Sequence, residues 1–173
     1  MNYFISQSYL KTQTPITQNV DVTDIWPNVR IASDFNLEPV LGSYFYNHLL
    51  TAYNANPQTL TPAEQTLLPY IQVVVAWGVA SESIYGLHFQ LKNKGLQIQN
   101  SDNSEAADSG DVKFLKRHYD QKKEFYIERL KHFLKTNKDD YPQLTDKQNT
   151  NCHADFRPNN ERGDSYNNDF LMI

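Results

Sequence analysis

The chain has 173 residues, of which 39% are hydrophobic and 21% are charged, and its formal net charge is −4. This length is enough for one domain with a hydrophobic core, and the acidic balance excludes a protein that binds nucleic acid through overall positive charge. The single cysteine, Cys152, excludes an internal disulfide. The first residues lack the basic and apolar regions of a secretory signal, and the most apolar run, 70–80, is too short to span a bilayer, so we expect neither secretion nor a membrane helix.

The sequence divides into three parts by composition. Residues 1–20 show no helical period and are interrupted by Pro15, so an extended N-terminal arm is predicted. Residues 21–136 carry the apolar periodicity of a helical domain. From residue 137 the composition becomes polar and cannot bury enough apolar area to fold alone, so 137–173 is predicted to form an extended or flexible C-terminal tail.

The helical domain opens with two predicted helices. Asp21, Thr23 or Asp24 can cap the first, which is expected to end near residue 36. A turn then leads into a second helix, rich in aromatic residues and leucine, over about 39–53.

The next helix has a clear start. Thr61 and Glu64 have the spacing of a capping box, and Pro69 is expected to kink the helix or to begin a new one. Residues 70–80 are apolar almost all round, which predicts a helix through the middle of the core. The small residues Ala76, Gly78 and Ala80 would let a neighbouring helix approach closely. A buried strand at 73–75 is the alternative.

After Gly86 the apolar residues recur at every second position, which is the period of a β-strand. A β-hairpin insertion over about 87–98 is therefore predicted, with its turn at 93–95, and its apolar side chains are candidate contacts with a partner. Its apolar contact residues are Leu87, Phe89, Leu91, Leu96 and Ile98.

The longest predicted helix spans 111–135 and has two apolar lines. The broader line predicts the face that packs on the core. It consists of Val112, Leu115, Tyr119, Tyr126, Ile127, Leu130, Phe133 and Leu134. The second line lies roughly opposite and consists of Phe114, His118, Gln121, Phe125 and His132. Apolar residues on two opposite sides predict a helix that is packed on both of these sides. Contacts with another subunit or with the chain's own tail are therefore predicted for Phe114, His118, Phe125 and His132.

The last apolar residues of the tail form a further candidate contact. They are Phe170, Leu171, Met172 and Ile173. Docking onto a partner and a frayed end are both compatible with this pattern.

No catalytic, cofactor-binding or metal-binding residues are predicted. The five histidines lack metal-ligand spacing, and Cys152 and His153 are adjacent, so they point in different directions. Asp120, Glu124 and Glu128 are four residues apart, but lysine and arginine lie three or four residues away, which predicts a solvated, salt-bridged face.

Several segments together carry a resemblance to a known class of proteins. They read Pro15-Ile-Thr-Gln-Asn-Val-Asp21, Arg30-Ile-Ala-Ser-Asp34, Leu37-Glu-Pro-Val-Leu-Gly42-Ser-Tyr-Phe-Tyr46 and, before the long helix, Asn93-Lys-Gly-Leu-Gln-Ile-Gln-Asn-Ser-Asp-Asn103. Over roughly 15–134 the chain resembles the small head–tail connector (adaptor) proteins of tailed bacteriophages, and most closely the neck ring proteins of crAss-like and other Bacteroides-infecting phages.

This resemblance implies a mainly α fold, a helical bundle with a β-hairpin insertion, and a virion structural protein without enzymatic activity or cofactor. The expected assembly is a homo-oligomeric ring, commonly of twelve copies, that joins the portal protein to other neck or tail proteins and extends the DNA channel. The expected location is the virion neck, and the host cytoplasm during assembly, with no membrane and only non-specific proximity to DNA.

The residues themselves leave two other classes open. One is a small helical protein-binding or regulatory protein. The other is an enzyme of an unrecognised helical class, against which the lack of convergent nucleophile, base and metal-ligand residues argues.

Overall fold

The computed structural model describes residues 3–16, 19–92, 95–98 and 108–146, and for Val22 and the strand residues it describes the backbone alone. Within these ranges the elements are α1 Gln7–Gln13, α2 Val22–Ile25, α3 Pro27–Leu41, α4 Ser43–Asn54, α5 Pro62–His88, β1 Phe89–Lys92, β2 Gly95–Ile98 and α6 Ser109–Thr136, followed by 3₁₀ turns at Lys138–Asp140 and Pro142–Thr145. The mainly α fold class is therefore confirmed.

The central element is α5, which is buried along most of its length and packs against both α3 and α6. Residues 73–75 lie inside this helix, so the helical interpretation of the apolar run is confirmed and the strand alternative is wrong. Pro69 lies within the same helix and does not begin a new one. The predicted capping box is also confirmed: the Thr61 N–H donates to Glu64 Oε2 at 2.8 Å, and the Glu64 N–H donates to Thr61 Oγ1 at 3.3 Å.

Helix α5 is long enough to cross a lipid bilayer. It has 27 residues, and an 18-residue window within it has a mean hydropathy of 1.3, so among the described residues it is the one helix that could cross a bilayer by length and composition. The apolar run 70–80 alone is shorter than a bilayer span, but the helix that contains it is not. Because 61% of that window is buried inside the molecule, and because the core helix of a soluble protein meets the same test, this is weak evidence for a membrane span.

The boundary between α3 and α4 differs from the prediction. The first long helix does not end near residue 36 but continues through Pro39 to Leu41, and α4 begins at Ser43. Apolar packing extends α3, because Leu37 and Leu41 are fully buried. The chain reverses at Gly42, whose φ of 77° lies in the region that favours glycine.

The predicted extended arm is also wrong, because residues 7–13 form helix α1. Ser6 caps this helix by accepting a hydrogen bond from the Tyr9 N–H at 3.1 Å. Leu10 is fully buried, and the preceding segment is held by the Gln72 side chain, which donates to the Phe4 carbonyl at 2.8 Å. The N-terminal segment is therefore part of the core.

The beginning of the predicted tail is folded as well. Residues 137–146 contain the two 3₁₀ turns, and Tyr141, which lies between the turns, and Leu144, in the second, are buried. The Tyr141 hydroxyl donates to the Ala63 carbonyl at 2.8 Å, and its ring lies 6.0 Å from that of Phe45. For these ten residues the prediction of an extended or flexible tail is wrong, because two apolar side chains suffice to anchor them. Residues 147–173 lie outside the described part of the chain.

The two strands follow α5 directly and pair antiparallel, with Phe89 opposite Ile98 and Lys92 opposite Gly95. Leu87, which was predicted to belong to the hairpin, lies instead in the last turn of α5, where helical hydrogen bonding continues to His88. That the strand pair acts as an insertion contacting another molecule stays a prediction.

Candidate functional site

The core face of α6 packs against α5 largely as predicted. Val112, Leu130 and Leu134 are buried, and four further members are half-buried against the core. Those four are Tyr119, Tyr126, Ile127 and Phe133. Aromatic contacts join the helices: the Tyr70 and Phe133 rings stack at 4.2 Å, and Tyr119 meets Trp77 edge-on at 5.6 Å. Leu115 is an exception, because it is exposed and the prediction for it is wrong.

The opposite side of α6, which we call the α6 back face, is formed by Phe114, His118, Gln121, Phe125 and His132. The exposed fractions of Phe114 and Phe125 are 76% and 64%, and the other three are exposed as well. Large exposed apolar side chains that line up along one helix are typical of a contact surface. Nothing in the described part of the chain covers them. That another molecule covers them stays a prediction.

A shallow groove of about 270 Å³ runs beside the α6 back face. We call it the α6 groove. Its lining residues are Trp77, His118, Gln121, Lys122, Phe125 and Tyr126. Phe125 and Tyr126 meet edge-on with their ring centroids 5.3 Å apart, so one wall of the groove is aromatic. A groove of this kind can receive one apolar side chain of a partner.

Cations lie over aromatic rings along the contact of α5 with α6. Lys122 Nζ lies 4.5 Å from the centroid of the Trp77 ring, and the Arg129 guanidinium lies 5.4 Å from that of Tyr70. Such cation–π contacts hold long basic side chains in place while leaving their charge at the surface. The α6 groove therefore has a basic edge.

A charged cluster joins α5 to α6 beside this surface. Ser81 Oγ donates to Asp120 Oδ1 at 2.6 Å, and the ammonium groups of Lys116 and Lys123 lie 3.2 and 3.1 Å from the same carboxylate. Partial burial raises the pKa of Asp120, but these hydrogen bonds and charges together lower it more, so the net shift is downward from the ordinary value of 3.8.

The salt-bridged interpretation of the three α6 carboxylates is thus confirmed for Asp120, and also for Glu128, which pairs with Lys131 at 2.7 Å. The sequence did not reveal that Asp120 also binds Ser81 of α5, because that partner is 39 residues away. The cluster holds two helices together, and a carboxylate engaged by three donors is poorly suited to act as a base.

A second apolar surface lies on α3 and was missed by sequence analysis. Ile31 and Phe35 are exposed, with an exposed fraction of 75% for Phe35. The available signal was their spacing of four residues, which puts them side by side on one face of a helix. We call this pair, with the neighbouring Asp34 and Glu38, the α3 outer face.

A wide, open depression of about 550 Å³ lies along α4. It is lined by Ser43, Tyr44, Asn47, His48 and Thr51. Beside it, His48 Nε2 lies 2.7 Å from Glu64 Oε1, and the Glu64 side chain is 3% exposed. The other carboxylate oxygen of Glu64 accepts from the Thr61 N–H, so the group is occupied in capping α5 and is not a free acid or base.

The structure describes only some of the remaining predicted contact residues. Leu87 is exposed at the end of α5. For Phe89, Leu91, Leu96 and Ile98 the structure gives the backbone pairing alone, and Phe170, Leu171, Met172 and Ile173 lie outside the described residues. Among the described residues, no group of three histidine, cysteine, aspartate or glutamate side chains is arranged to hold a metal ion.

Comparison with known protein families matches residues 37–154 to a family of unknown function, DUF6712. The chain belongs to this family. The DUF6712 region starts near the end of α3 and includes α4, α5, both strands, α6 and the two 3₁₀ turns. It therefore contains the α6 back face and the α6 groove, but not Ile31 and Phe35 of the α3 outer face. No curated protein and no solved structure matches the chain.

Proposed function

We propose that this protein is a structural subunit of a phage neck ring, which joins the portal to the tail and extends the DNA channel. The observation that supports this most is the α6 back face, where Phe114 and Phe125 are largely exposed on a helix whose other side packs against the core. A helix with both sides apolar is expected in a subunit that is buried from outside by its neighbours.

The number and kind of exposed surfaces also support an assembly. A ring is built by heterologous contacts, in which two different patches of one subunit meet the patches of its neighbours. The α6 back face and the α3 outer face are two such patches on different helices. The count of twelve copies, the portal and tail partners and the virion location come from the resemblance of the sequence to head–tail connector proteins.

In this proposal the strand pair, Phe89–Lys92 and Gly95–Ile98, acts as a β-hairpin insertion. It directly follows α5, the central helix, in the chain, and a polar stretch of sequence separates it from the start of α6. We propose that this insertion extends toward an adjacent ring or the channel and that its apolar side chains form the contact. A channel lined by acidic residues would let DNA pass without binding it.

A second candidate is a small helical protein-binding or regulatory protein. The α6 groove supports it, because an aromatic groove with a basic edge can bind one peptide side chain without any ring. The two functions differ in stoichiometry: the ring requires many copies in one particle, and a regulatory protein does not.

Purified phage particles test the proposal directly. We expect the chain in the particles at a constant number of copies per portal, with its helices fitting density in the neck. Absence of the chain from purified particles would show that the proposal is wrong. Presence at one or two copies per particle would favour the regulatory alternative.

A double variant tests whether the α6 back face serves assembly and not folding. Phe114→Ser with Phe125→Ser is expected to change the free energy of unfolding by no more than about 1 kcal/mol, because exposed substitutions each cost within about 0.5 kcal/mol. It should nevertheless abolish incorporation into particles. Tyr44→Ser, which alters an exposed aromatic residue of α4, is the matched control and should still be incorporated.

A further inference from the structure

The α3 outer face is apolar in its centre and acidic around it. Ile31 and Phe35 are exposed one turn apart, and Asp34 and Glu38 lie on the same side of the helix. Asp34 accepts hydrogen bonds from the Tyr46 hydroxyl at 2.7 Å and from Arg30 at 3.3 Å. Its position is thereby fixed, so this face presents a defined arrangement of apolar and negative groups.

The α3 outer face and the α6 back face cannot cover each other within one molecule. The buried side of α3 lies against α5, where Ala32 approaches Gly78 and Asn28 donates to Ser83 at 3.0 Å. The buried side of α6 lies against α5 through Trp77 and Tyr119. Since both helices pack on the same central helix, each exposed face points away from it.

The charges of the two faces are complementary. Residues 21–41, which contain α2 and α3, have four acidic and one basic residue. Helix α6 has eight lysine or arginine residues and four acidic ones. Opposite net charge on the elements that carry the two apolar patches favours their mutual approach and disfavours the pairing of either patch with its own kind.

We propose that the α3 outer face of one copy docks onto the α6 groove of a second copy of this chain. Phe35 enters the groove between Phe125 and Trp77, and the acidic side chains around it face Lys122 and its basic neighbours. The contact is heterologous, so a pair of copies keeps one unused α3 outer face and one unused α6 groove, and the contact repeats from copy to copy. This inference rests on the proposed function and specifies the faces that meet in the ring.

Disulfide trapping tests the contact directly. In a Cys152→Ser background, a chain with Ile31→Cys, which keeps Phe35, is mixed with a chain with Gln121→Cys, and mixed disulfide formation is followed over time. We expect this pair to cross-link at least about tenfold faster than a control pair of Gln58→Cys with Gln121→Cys, because docking raises the local concentration of the two thiols. Gln58 is exposed in the loop between α4 and α5. Equal rates for the two pairs, at the highest concentration at which the protein stays dispersed, overturn the inference.

A mixing experiment tests whether the contact joins unlike faces. Phe35→Glu disables the α3 outer face and Phe125→Glu disables the α6 groove, and both side chains are exposed, so both variants are expected to fold. Neither variant alone should show the concentration-dependent association of the unmodified chain in sedimentation. Their mixture should form a one-to-one dimer, because each supplies the face that the other lacks. If the Phe35→Glu chain associates alone as the unmodified chain does, α6 meets α6 and the inference is wrong.

These outcomes separate the inference from the proposed function. If the chain is found in the neck of particles but the test and control pairs cross-link at equal rates, the proposed function stands. Other faces must then build the ring. Rapid cross-linking of a chain that is absent from particles supports the contact and contradicts the neck function.

Discussion

At the scale of single residues, Asp120 is the clearest case of a charged group with a structural role. Its carboxylate accepts hydrogen bonds from Ser81 of α5 and from two lysines of its own helix. Its pKa is lowered in the folded state despite the opposing effect of partial burial, so the deprotonated form stabilises the fold. A group with a lowered folded pKa contributes stability above its unfolded pKa, and this contribution is lost as the pH falls through the folded value.

We therefore expect Asp120→Asn to reduce the free energy of unfolding near pH 7 by about 1 kcal/mol, the usual size for a partly exposed charged hydrogen bond. The difference from the unmodified chain should persist down to the ordinary aspartate pKa of 3.8 and shrink at lower pH, which urea unfolding at a series of pH values would measure. Glu128→Gln, which alters an exposed pair, is the control and should have a smaller effect at every pH. A difference that grows as the pH falls would contradict this account.

Sequence analysis anticipated half of this cluster. The partners three and four residues away follow from helical geometry, because side chains at those spacings are neighbours on any helix. Ser81 could not be found in that way, since its contact with Asp120 depends on how α5 and α6 are packed. The same limit applies to His48 and Glu64, which come from two helices and meet only in the folded chain.

At the scale of elements, the close approach of α3 and α5 depends on one glycine. A Cβ atom at Gly78 would lie 2.8 Å from Asn36 Nδ2 and 3.0 Å from Ala32 Cβ. Asn36 cannot move away without cost, because it donates to the Ala32 carbonyl. The expectation that small residues of this helix admit a close neighbour is therefore confirmed.

Two glycine substitutions in α5 are expected to have opposite effects. Gly78→Ala should destabilise the protein by about 1–2 kcal/mol, because the cost of overpacking exceeds the gain in helix propensity. Gly86→Ala meets nothing within 4 Å and should stabilise it by up to about 1 kcal/mol through propensity alone. Chemical denaturation of both variants would measure the difference. Equal effects would show that the α3–α5 contact is not tight.

Element boundaries were harder to predict than element types. The pattern of α6 predicted its course to within two residues at its start and one at its end, because a long helix has many periodic positions. Helix α1 was missed because seven residues with one buried leucine show almost no helical periodicity of apolar residues. The predicted end of α3 came too early because Pro39 is normally a helix breaker. In both segments tertiary burial outweighs the local signal.

At the scale of the whole molecule, one central helix is packed by two others, each with an apolar side left exposed. The α6 back face was predictable, because a second apolar line along a long helix is visible in the sequence. The α3 outer face was missed, because Phe35 was placed at the end of a helix that in fact continues for six more residues. Only the folded structure separates exposed aromatic residues from buried ones in such an aromatic-rich chain.

If the two faces meet as proposed, their association must depend on salt. Screening shortens the reach of charge from about 10 Å at 0.1 M to about 3 Å at 1 M ionic strength, whereas the burial of Phe35 is not weakened by sodium chloride. The cross-linking advantage of the Ile31→Cys and Gln121→Cys pair over its control should therefore fall as sodium chloride is raised over this range, without vanishing. Lys122→Glu should lower that advantage at low salt and make it less sensitive to added salt. An advantage that is independent of salt in both backgrounds would mean that the complementary charges of α3 and α6 take no part in the contact.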